Sequence, residues 1–176
     1  MLFKNIKIMD DLVSKMIRAG CFIRGEFTLR SGQTVDTYFD IKKGLGNPEI
    51  LTEIADRMYR KIGSTPITFV AGSGLGGIPI ATAISILYPL KLTLVRNELK
   101  NHGTLQLIEG YRPNPDDLGM IAEDVFTTGG SLKETADTLI RETSTRIHSC
   151  HVVLKRTNNN FEYPLEHLFT LEDFQQ

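Results

Sequence analysis

Two adjacent acids, Glu123 and Asp124, follow the apolar run "GMIA" in this 176-residue chain. Paired carboxylates bind hydroxyl groups, stabilise a developing positive charge, or hold a metal that accompanies a phosphate. The turn "TTGGS" (127–131) comes next and leads into an amphipathic helical pattern. This turn is predicted to bind a phosphate. Its hydroxyl side chains can donate hydrogen bonds, its glycines let the backbone approach closely, and the positive end of the helix attracts an anion. For a generic glycine-rich turn, the alternative is a plain strand-to-helix connection with capping residues.

Two further stretches have residues suited to binding a polyphosphate. "AGSGLGGIPIA" follows the run "ITFV", and its glycines either bind pyrophosphate through backbone N–H groups or allow tight helix–strand packing. In "VRNELKNHGTLQLIEGYRP", the basic residues Arg96, Lys100 and His102 lie close together. This segment is either a solvated loop with ordinary charges or a mobile lid that closes over a polyphosphate and excludes water.

Alternating apolar runs and helical patterns must position these stretches. The β-branched runs are "ITFVAG", "KLTLVR", "LGMIAED" and "SCHVVLKR", and helical segments follow the first at 78–88 and the third at 132–143. This alternation predicts a parallel sheet covered on both faces. In such sheets ligands bind at the carboxyl ends of the strands, so the residues just after each run are the candidates.

The residues before this alternation predict a smaller element packed on the sheet. Apolar residues at helical spacing predict a first helix that ends at Gly20, and a second helix begins with Asn47 as N-cap and Pro48. Between them, "GEFTLRSGQTVDTYFDIKKG" predicts a hairpin or short strands. The tail from Thr157 opens with "TNNN" and has no assigned role.

Composition limits the class of protein. The chain is 41% hydrophobic and 23% charged with a net charge of −1, so no global field favours nucleic acid or a membrane surface. The most apolar stretch, "GLGGIPIATAISILYPL", is broken by Pro79 and Pro89 and fits a core helix better than a membrane span. Cys21 and Cys150 lie in no metal or redox spacing and are predicted to be buried thiols, with a disulfide left open. We therefore expect a cytoplasmic protein without a secretory signal.

The pattern acid–acid–apolar–x–Thr–Thr–Gly–Gly–Ser resembles the phosphoribosyl diphosphate (PRPP) motif of the type I phosphoribosyltransferases. In that family the acids hold the ribose 2- and 3-hydroxyls and the turn binds the 5-phosphate. The family more often has Asp at the position of Glu123, and some relatives have a basic residue at that of Gly76. The resemblance implies that one continuous set binds PRPP: Glu123, Asp124, Val125, Phe126, Thr127, Thr128, Gly129, Gly130 and Ser131.

The basic segment "RNELKNHG" is similar to the catalytic loop of the orotate phosphoribosyltransferases in that family, usually Arg-Lys-Glu-x-Lys-x-His-Gly. Arg96, Lys100 and His102 match, while Asn97 replaces a second basic residue. The resemblance implies that the three matching residues bind PRPP, and that Lys100 or His102 donates a proton. It also implies a homodimer in which the 96–112 loop reaches the active site of the neighbouring subunit.

The stretch "GEFTLRSG" with the following Tyr/Phe pair resembles the hood over the base in the same enzymes. Arg30 stands where they have Lys, which keeps the charge but not the geometry. By this resemblance Phe39 and its neighbour Tyr38 would lie against the base. Arg156 would contact the orotate carboxylate or its neighbouring carbonyl through its guanidinium fork, and Thr127 would add a second contact.

The resemblance spans about Gly25 to Arg156 and implies an α/β type I phosphoribosyltransferase fold. We expect a central mostly parallel sheet flanked by helices, with a small N-terminal hood element. A single domain would cover 1–176, with N-terminal helices and hood over about 1–64 and a PRPP-binding core over about 65–156.

The implied reaction is orotate plus PRPP to orotidine 5'-phosphate plus pyrophosphate, in pyrimidine (UMP) biosynthesis. Lys100, His102 and Asp124 would be catalytic, and Mg²⁺ would be held through PRPP rather than directly by side chains. One alternative is a phosphoribosyltransferase for another nucleobase. The other is a non-catalytic PRPP-sensing regulator, although such proteins often add a DNA-binding domain and no helix-turn-helix segment or basic run is evident.

Overall fold

The computed structural model of the protein describes residues 10–28, 34–97 and 106–174. The strands in this part of the chain are β1 (Phe22–Thr28), β2 (Thr34–Phe39), β3 (Phe69–Ser73), β4 (Lys91–Val95), β5 (Ile108–Gly110), β6 (Leu118–Phe126), β7 (Arg146–Lys155) and β8 (Leu165–Thr170). The helices are α1 (Asp11–Arg18), α2 (Ile41–Leu45), α3 (Pro48–Arg60), α4 (Gly74–Leu87) and α5 (Gly130–Thr143), followed by a 3₁₀ turn at Leu171–Phe174.

Six strands form one sheet in the order β5-β4-β3-β6-β7-β8. Every neighbouring pair is parallel except β4 and β5, which are antiparallel. This arrangement confirms the predicted mostly parallel sheet. From β3 the chain proceeds to β4 on one side, and from β6 it proceeds to β7 on the other. The adjacent carboxyl ends of β3 and β6 therefore form a topological switch point, where open α/β sheets bind ligands.

Helices cover both faces of this sheet. On one face α3 and α4 pack over side chains that include Val70 and Met120. On the other face α5 packs over Phe69 and Ile121. Successive side chains of a strand point to opposite faces, so each central strand contributes to both cores. Truncation of the fully buried Phe69 to Ala would cost about 3–5 kcal/mol of stability.

The N-terminal elements match their sequence signals. The Asn47 side chain accepts hydrogen bonds from the N–H groups of Glu49 and Ile50, which caps α3 as predicted. Strands β1 and β2 pair antiparallel, which confirms the predicted hairpin. Phe39 of this hairpin contacts Phe174 of the 3₁₀ turn with ring centroids 5.2 Å apart. The C-terminal turn is thus part of the same core.

Three features differ from the sequence prediction. Helix α4 begins at Gly74, four residues earlier than predicted, because a glycine-rich segment has little apolar periodicity to mark a helix. Strand β5 has three residues and pairs with β4 at the sheet edge. Strand β8, from "LEHLFT", lies in the tail that had no assigned role. Its half-buried edge position explains the weak apolar signal.

The two cysteines are free and buried, which confirms that part of the prediction. Burial raises the pKa of the Cys21 thiol to about 11 and that of Cys150 to about 12. No helix in the described ranges is long and apolar enough to cross a bilayer.

Candidate active site

The glycine-rich turn after β3 packs directly on the end of β6. A Cβ added at Gly76 would lie 2.6 Å from Oδ2 of Asp124, and one at Gly77 would lie 2.6 Å from the carbonyl oxygen of Ala122. Both distances are far below van der Waals contact, so a side chain at Gly76 would displace the Asp124 carboxylate, and one at Gly77 would meet the backbone of β6. Gly74 has φ +61°, and an added Cβ there meets no described atom within 4 Å. Tight packing thus accounts for Gly76 and Gly77, and pyrophosphate binding by this turn stays a prediction.

Glu123 is the buried member of the acid pair, with 8% of its surface exposed. Its Oε1 accepts a hydrogen bond from the Asp124 N–H at 2.9 Å, and its Oε2 accepts one from the Ser131 hydroxyl at 3.2 Å. Burial raises the pKa of Glu123 to about 7, and the adjacent Asp124 carboxylate acts in the same direction. The side chain therefore connects the strand end to the first turn of α5.

Asp124 is the more accessible acid, with a side chain that is 15% exposed. Its Oδ2 lies 3.5 Å from Nζ of Lys42, a residue of α2. Lys42 also lies 3.5 Å from Oδ1 of Asp40. The sequence gives no sign of Lys42 as a site residue, because its position beside the acids depends on how the N-terminal elements dock on the sheet.

The predicted phosphate turn leads into α5 as expected. Thr127, Thr128 and Ser131 are all exposed. Gly129 is the N-cap in the left-handed conformation at φ +81°, and no side chain within the described ranges caps the helix. The first N–H groups of a helix have no intrahelical partner, so this end of α5 is free to donate to an anion. Phe126, by contrast, is buried in the core, as the last strand residue.

Residues 156–161 hold this turn from behind, and we call them the brace. The Arg156 N–H donates to the Phe126 carbonyl at 2.9 Å. The Thr157 hydroxyl and the Asn159 amide, the latter at 3.2 Å, both donate to the Thr127 carbonyl. Phe161 packs edge-on against Phe126 with centroids 5.4 Å apart. The sequence "TNNN" does not reveal this role, because it gives no signal of its partner strand.

Packing of the brace also reaches the N-cap of α5. A Cβ at Gly129 would lie 2.8 Å from the Phe126 ring and 2.9 Å from the Phe161 ring. Gly129 is therefore needed twice, for its positive φ and for the space that the two rings occupy.

Arg96 follows β4 on the other side of the switch point. Its Nε donates to Oε1 of Glu109 at 3.0 Å, and its side chain is 38% exposed. It lines a cavity of about 630 Å³, together with residues of α4, β4 and β5: Gly74, Ile78, Leu94, Val95, Asn97 and Glu109. Lys100 and His102, predicted to act with Arg96, lie outside the described residues.

The predicted base-binding residues differ in how far they are exposed to solvent. Phe39 is 6% exposed and packs against Phe22 at 5.0 Å, whereas its neighbour Tyr38 is 38% exposed. The hairpin surface thus presents Tyr38 rather than Phe39, and contact between Phe39 and a base stays a prediction. The half-buried Arg156 makes no side-chain hydrogen bond or ion pair to the described residues and follows β7 beside Thr127. Arg30 lies outside the described residues.

Comparisons with known proteins show the family to which the chain belongs. A switch-point crevice with paired acids beside an uncapped helix start is the architecture expected of a phosphoribosyltransferase, and the "Phosphoribosyl transferase domain" family matches residues 41–167. The chain is 37% identical over 153 residues to the orotate phosphoribosyltransferase of Pyrococcus horikoshii, covering 86% of this chain and 81% of that protein. It is 39% identical over 145 residues to the orotate phosphoribosyltransferase of Methanocaldococcus jannaschii, covering 82% of this chain and 81% of that one.

A solved structure extends the agreement to three dimensions. The crystal structure of orotate phosphoribosyltransferase from Aeropyrum pernix superposes with a TM-score of 0.79 at 27% identity, covering 93% of this chain and 95% of that one. The chain belongs to the orotate phosphoribosyltransferase family, as the sequence motifs predicted.

Proposed function

We propose that this protein transfers the phosphoribosyl group of PRPP to orotate, with orotidine 5'-phosphate and pyrophosphate as products, in UMP biosynthesis. The observation that carries the proposal is the acid pair beside the uncapped start of α5, in a member of this family. The choice of orotate as the base follows from the names of the relatives. The recognition of ribose and phosphate is inferred from the residues of the site.

The acid pair and the turn would bind different parts of PRPP. Glu123 and Asp124 accept hydrogen bonds from the ribose hydroxyls, while the hydroxyls and N–H groups of 127–131 donate to the 5-phosphate. Orotate attacks the anomeric carbon as pyrophosphate departs, so positive charge develops on the ribose ring. The nearby carboxylates stabilise this charge, and catalysis is mainly positioning and electrostatics.

Mg²⁺ fits this site through its substrate rather than through a cage of side chains. Both oxygens of Glu123 already accept hydrogen bonds within the chain. Asp124 is then the more accessible carboxylate of the pair. One carboxylate supplies far fewer oxygen ligands than the six that Mg²⁺ requires. When bound, the ion would neutralise charge on the diphosphate, with PRPP and water supplying most of its ligands.

Orotate would bind between the end of β7 and the hairpin. The Arg156 guanidinium makes no hydrogen bond or ion pair within the described residues and is suited to the orotate carboxylate, and Thr127 lies beside it. Phe39 and Tyr38 would supply the aromatic contact, and Arg30 a charged one. Their placement against the base rests on the family resemblance.

The lid and the second subunit complete the proposed site. Arg96, Lys100 and His102 would stabilise the departing pyrophosphate, with Lys100 or His102 as proton donor. We propose that the 96–112 loop acts across a homodimer. Leu75 and Ile86 of α4 support a partner surface, since their side chains are apolar yet 83% and 74% exposed.

We further propose that residues 1–176 act as one domain in the cytoplasm. About 1–64 would form the helices and hood, and about 65–156 the PRPP-binding core. The two buried free thiols support a reducing compartment.

The test is to incubate purified protein with PRPP, Mg²⁺ and a panel of nucleobases, and to follow pyrophosphate release. We expect release with orotate alone. Release with another base would keep the PRPP site and overturn the substrate. Tight PRPP binding without release with any base would overturn catalysis and favour a PRPP sensor.

A further inference from the structure

Lys42 brings a positive charge to the acid pair from the N-terminal part of the chain. Its Nζ lies 3.5 Å from Oδ2 of Asp124 and 3.5 Å from Oδ1 of Asp40. The side chain is 49% exposed, so the ammonium group lies at the border between the protein and the crevice. Neither the PRPP motif nor the basic loop includes this residue.

The position of Lys42 is set by a well-packed helix. Ile41 and Leu45 of α2 are 0% and 9% exposed, and Gly44 lies so close to Cys21 that an added Cβ would be 2.8 Å from its sulfur. These buried neighbours fix the backbone of α2 against the core. The backbone of Lys42 is thus fixed, and its ammonium group lies at the half-exposed end of a flexible side chain.

The glycine turn that faces the same acids supplies no cation of its own. Residues 73–77 read Ser-Gly-Leu-Gly-Gly. A Cβ added at Gly76 would lie 2.6 Å from Oδ2 of Asp124, so a side chain at this position would displace the Asp124 carboxylate. The cation on this side of the acid pair comes from another element, since Lys42 is the lysine that reaches Asp124 among the described residues.

The carboxylates around Lys42 hold it charged and only loosely paired. Oδ1 of Asp40 is shielded from solvent and accepts no hydrogen bond from the described residues, so its nearby cation is Lys42 at the long distance of 3.5 Å. Partial burial lowers the pKa of Lys42, but the charges of Asp124 and Asp40 outweigh it and the pKa is raised. An ammonium group has three donors, so it can stay beside Asp40 while it turns from Asp124 to another acceptor.

We propose that Lys42 binds the diphosphate of PRPP. In this structure it lies beside Asp124 and offsets its charge. When the ribose hydroxyls take the carboxylate oxygens of Asp124, the anomeric carbon and its diphosphate come to lie beside the acid pair, and Lys42 turns to a phosphate oxygen. Its charge then opposes the negative charge that develops on the leaving pyrophosphate. This inference rests on the proposed function, which makes PRPP the substrate.

The test compares Lys42→Ala, the length-conserving Lys42→Gln and the charge-conserving Lys42→Arg with wild type. Lys43→Ala is the matched control, because Lys43 is the exposed neighbour on the same short helix and has the same charge. PRPP binding is measured by calorimetry with Mg²⁺ and without base, and KM for PRPP, KM for orotate and kcat by steady-state kinetics. We expect Lys42→Ala and Lys42→Gln to weaken PRPP binding about tenfold or more. Lys42→Arg should recover part of it, and Lys43→Ala and the KM for orotate should stay near wild type.

Unchanged PRPP affinity in both neutral Lys42 variants would overturn the proposal. An equal loss of PRPP affinity in Lys43→Ala would also overturn it, since the effect would then come from the net positive charge of α2 and not from a contact made by Lys42. The calorimetry separates this inference from the proposed reaction. If wild type binds PRPP more tightly than Lys42→Gln but transfers it to no base, the assignment of Lys42 stands and the proposed function fails. If wild type does not bind PRPP, both fail.

Discussion

At the scale of single residues, the two acids have different environments. Glu123 is buried and accepts two hydrogen bonds from the chain, whereas Asp124 faces Lys42 and the crevice. We infer that Glu123 orients the end of β6 and the start of α5, and that Asp124 is the first to meet a substrate. Because the PRPP motif shows two neighbouring acids, it does not reveal this division.

Glu123 should make stability depend on pH. Its pKa is raised from 4.5 to about 7 in the folded protein, chiefly by burial. The folded state therefore holds this proton more tightly than the unfolded state, and stability falls as the pH rises from about 4.5 to 7 and stays lower above that window. Glu123→Gln removes the titration. Relative to this variant, wild type should lose on the order of 1–3 kcal/mol between pH 5 and pH 8, since one pKa unit is worth about 1.4 kcal/mol. Urea unfolding at both pH values measures the difference.

Glu134→Gln is the control for this measurement. Glu134 is an exposed acid of the same helix α5, so its substitution should leave the pH dependence of wild type unchanged. If Glu123→Gln showed the wild-type pH dependence as well, the buried proton would not be on Glu123.

At the scale of elements, the glycine turn after β3 acts as a surface against which the acid pair is held. Gly76→Ala would place a methyl group 2.6 Å from Oδ2 of Asp124. The carboxylate must then move, or the start of α4 must shift. We expect a loss of stability of about 1–3 kcal/mol, typical of overpacking, and at least tenfold lower kcat/KM for PRPP.

Gly46→Ala provides the comparison for Gly76→Ala. Gly46 has a negative φ of −71° and room for a methyl group, 3.5 Å from the nearest atom. Thermal unfolding and steady-state kinetics of both variants should separate them clearly. Near-wild-type kinetics in Gly76→Ala would mean that the position of Asp124 is not set by this turn.

The brace is a second element whose effect should be seen in substrate binding. Asn159→Ala removes one donor to the Thr127 carbonyl. One hydrogen bond is worth about 0.5–1.5 kcal/mol, so we expect KM for PRPP to rise roughly two- to tenfold. Since Asn159 is exposed, the melting temperature should change little.

Asn158→Ala is a close control, because Asn158 is exposed, adjacent in sequence and makes no side-chain hydrogen bond to the described residues. It should keep the wild-type KM for PRPP. An equal KM for PRPP in the two variants would show that the Asn159 hydrogen bond does not position the turn.

At the scale of the whole molecule, the proposed homodimer predicts complementation. Lys100→Ala and Asp124→Asn should each be inactive or nearly so. If the loop acts across subunits, a heterodimer has one site with both substitutions and one with neither. A randomised mixture of the two variants should then recover about a quarter of wild-type activity, because half of the dimers would be hetero. Each variant alone, after the same unfolding and refolding, is the control. Absence of recovery in verified heterodimers would show that the loop serves its own subunit.

The sequence alone determined the features that depend on local pattern. Apolar runs of β-branched residues predicted β3, β4, β6 and β7, and the Asn-Pro start predicted the N-terminus of α3, because burial periodicity and capping act between near neighbours in the chain. The acids and the Thr/Gly turn were predicted for the same reason, since strand end and helix start meet at one turn.

The tertiary structure decided what depends on distant contacts. Lys42 reaches Asp124 across 82 positions of sequence, and Asn159 reaches Thr127 across 32. The burial of Phe39 beside Phe174 likewise follows from how the hairpin meets the C-terminal turn. A side chain at a turn or strand end carries no sign of its partner, because that partner is set by the order of strands in the sheet. The sequence thus predicted a PRPP-binding motif, and the packing of the sheet determines which residues hold that motif in place.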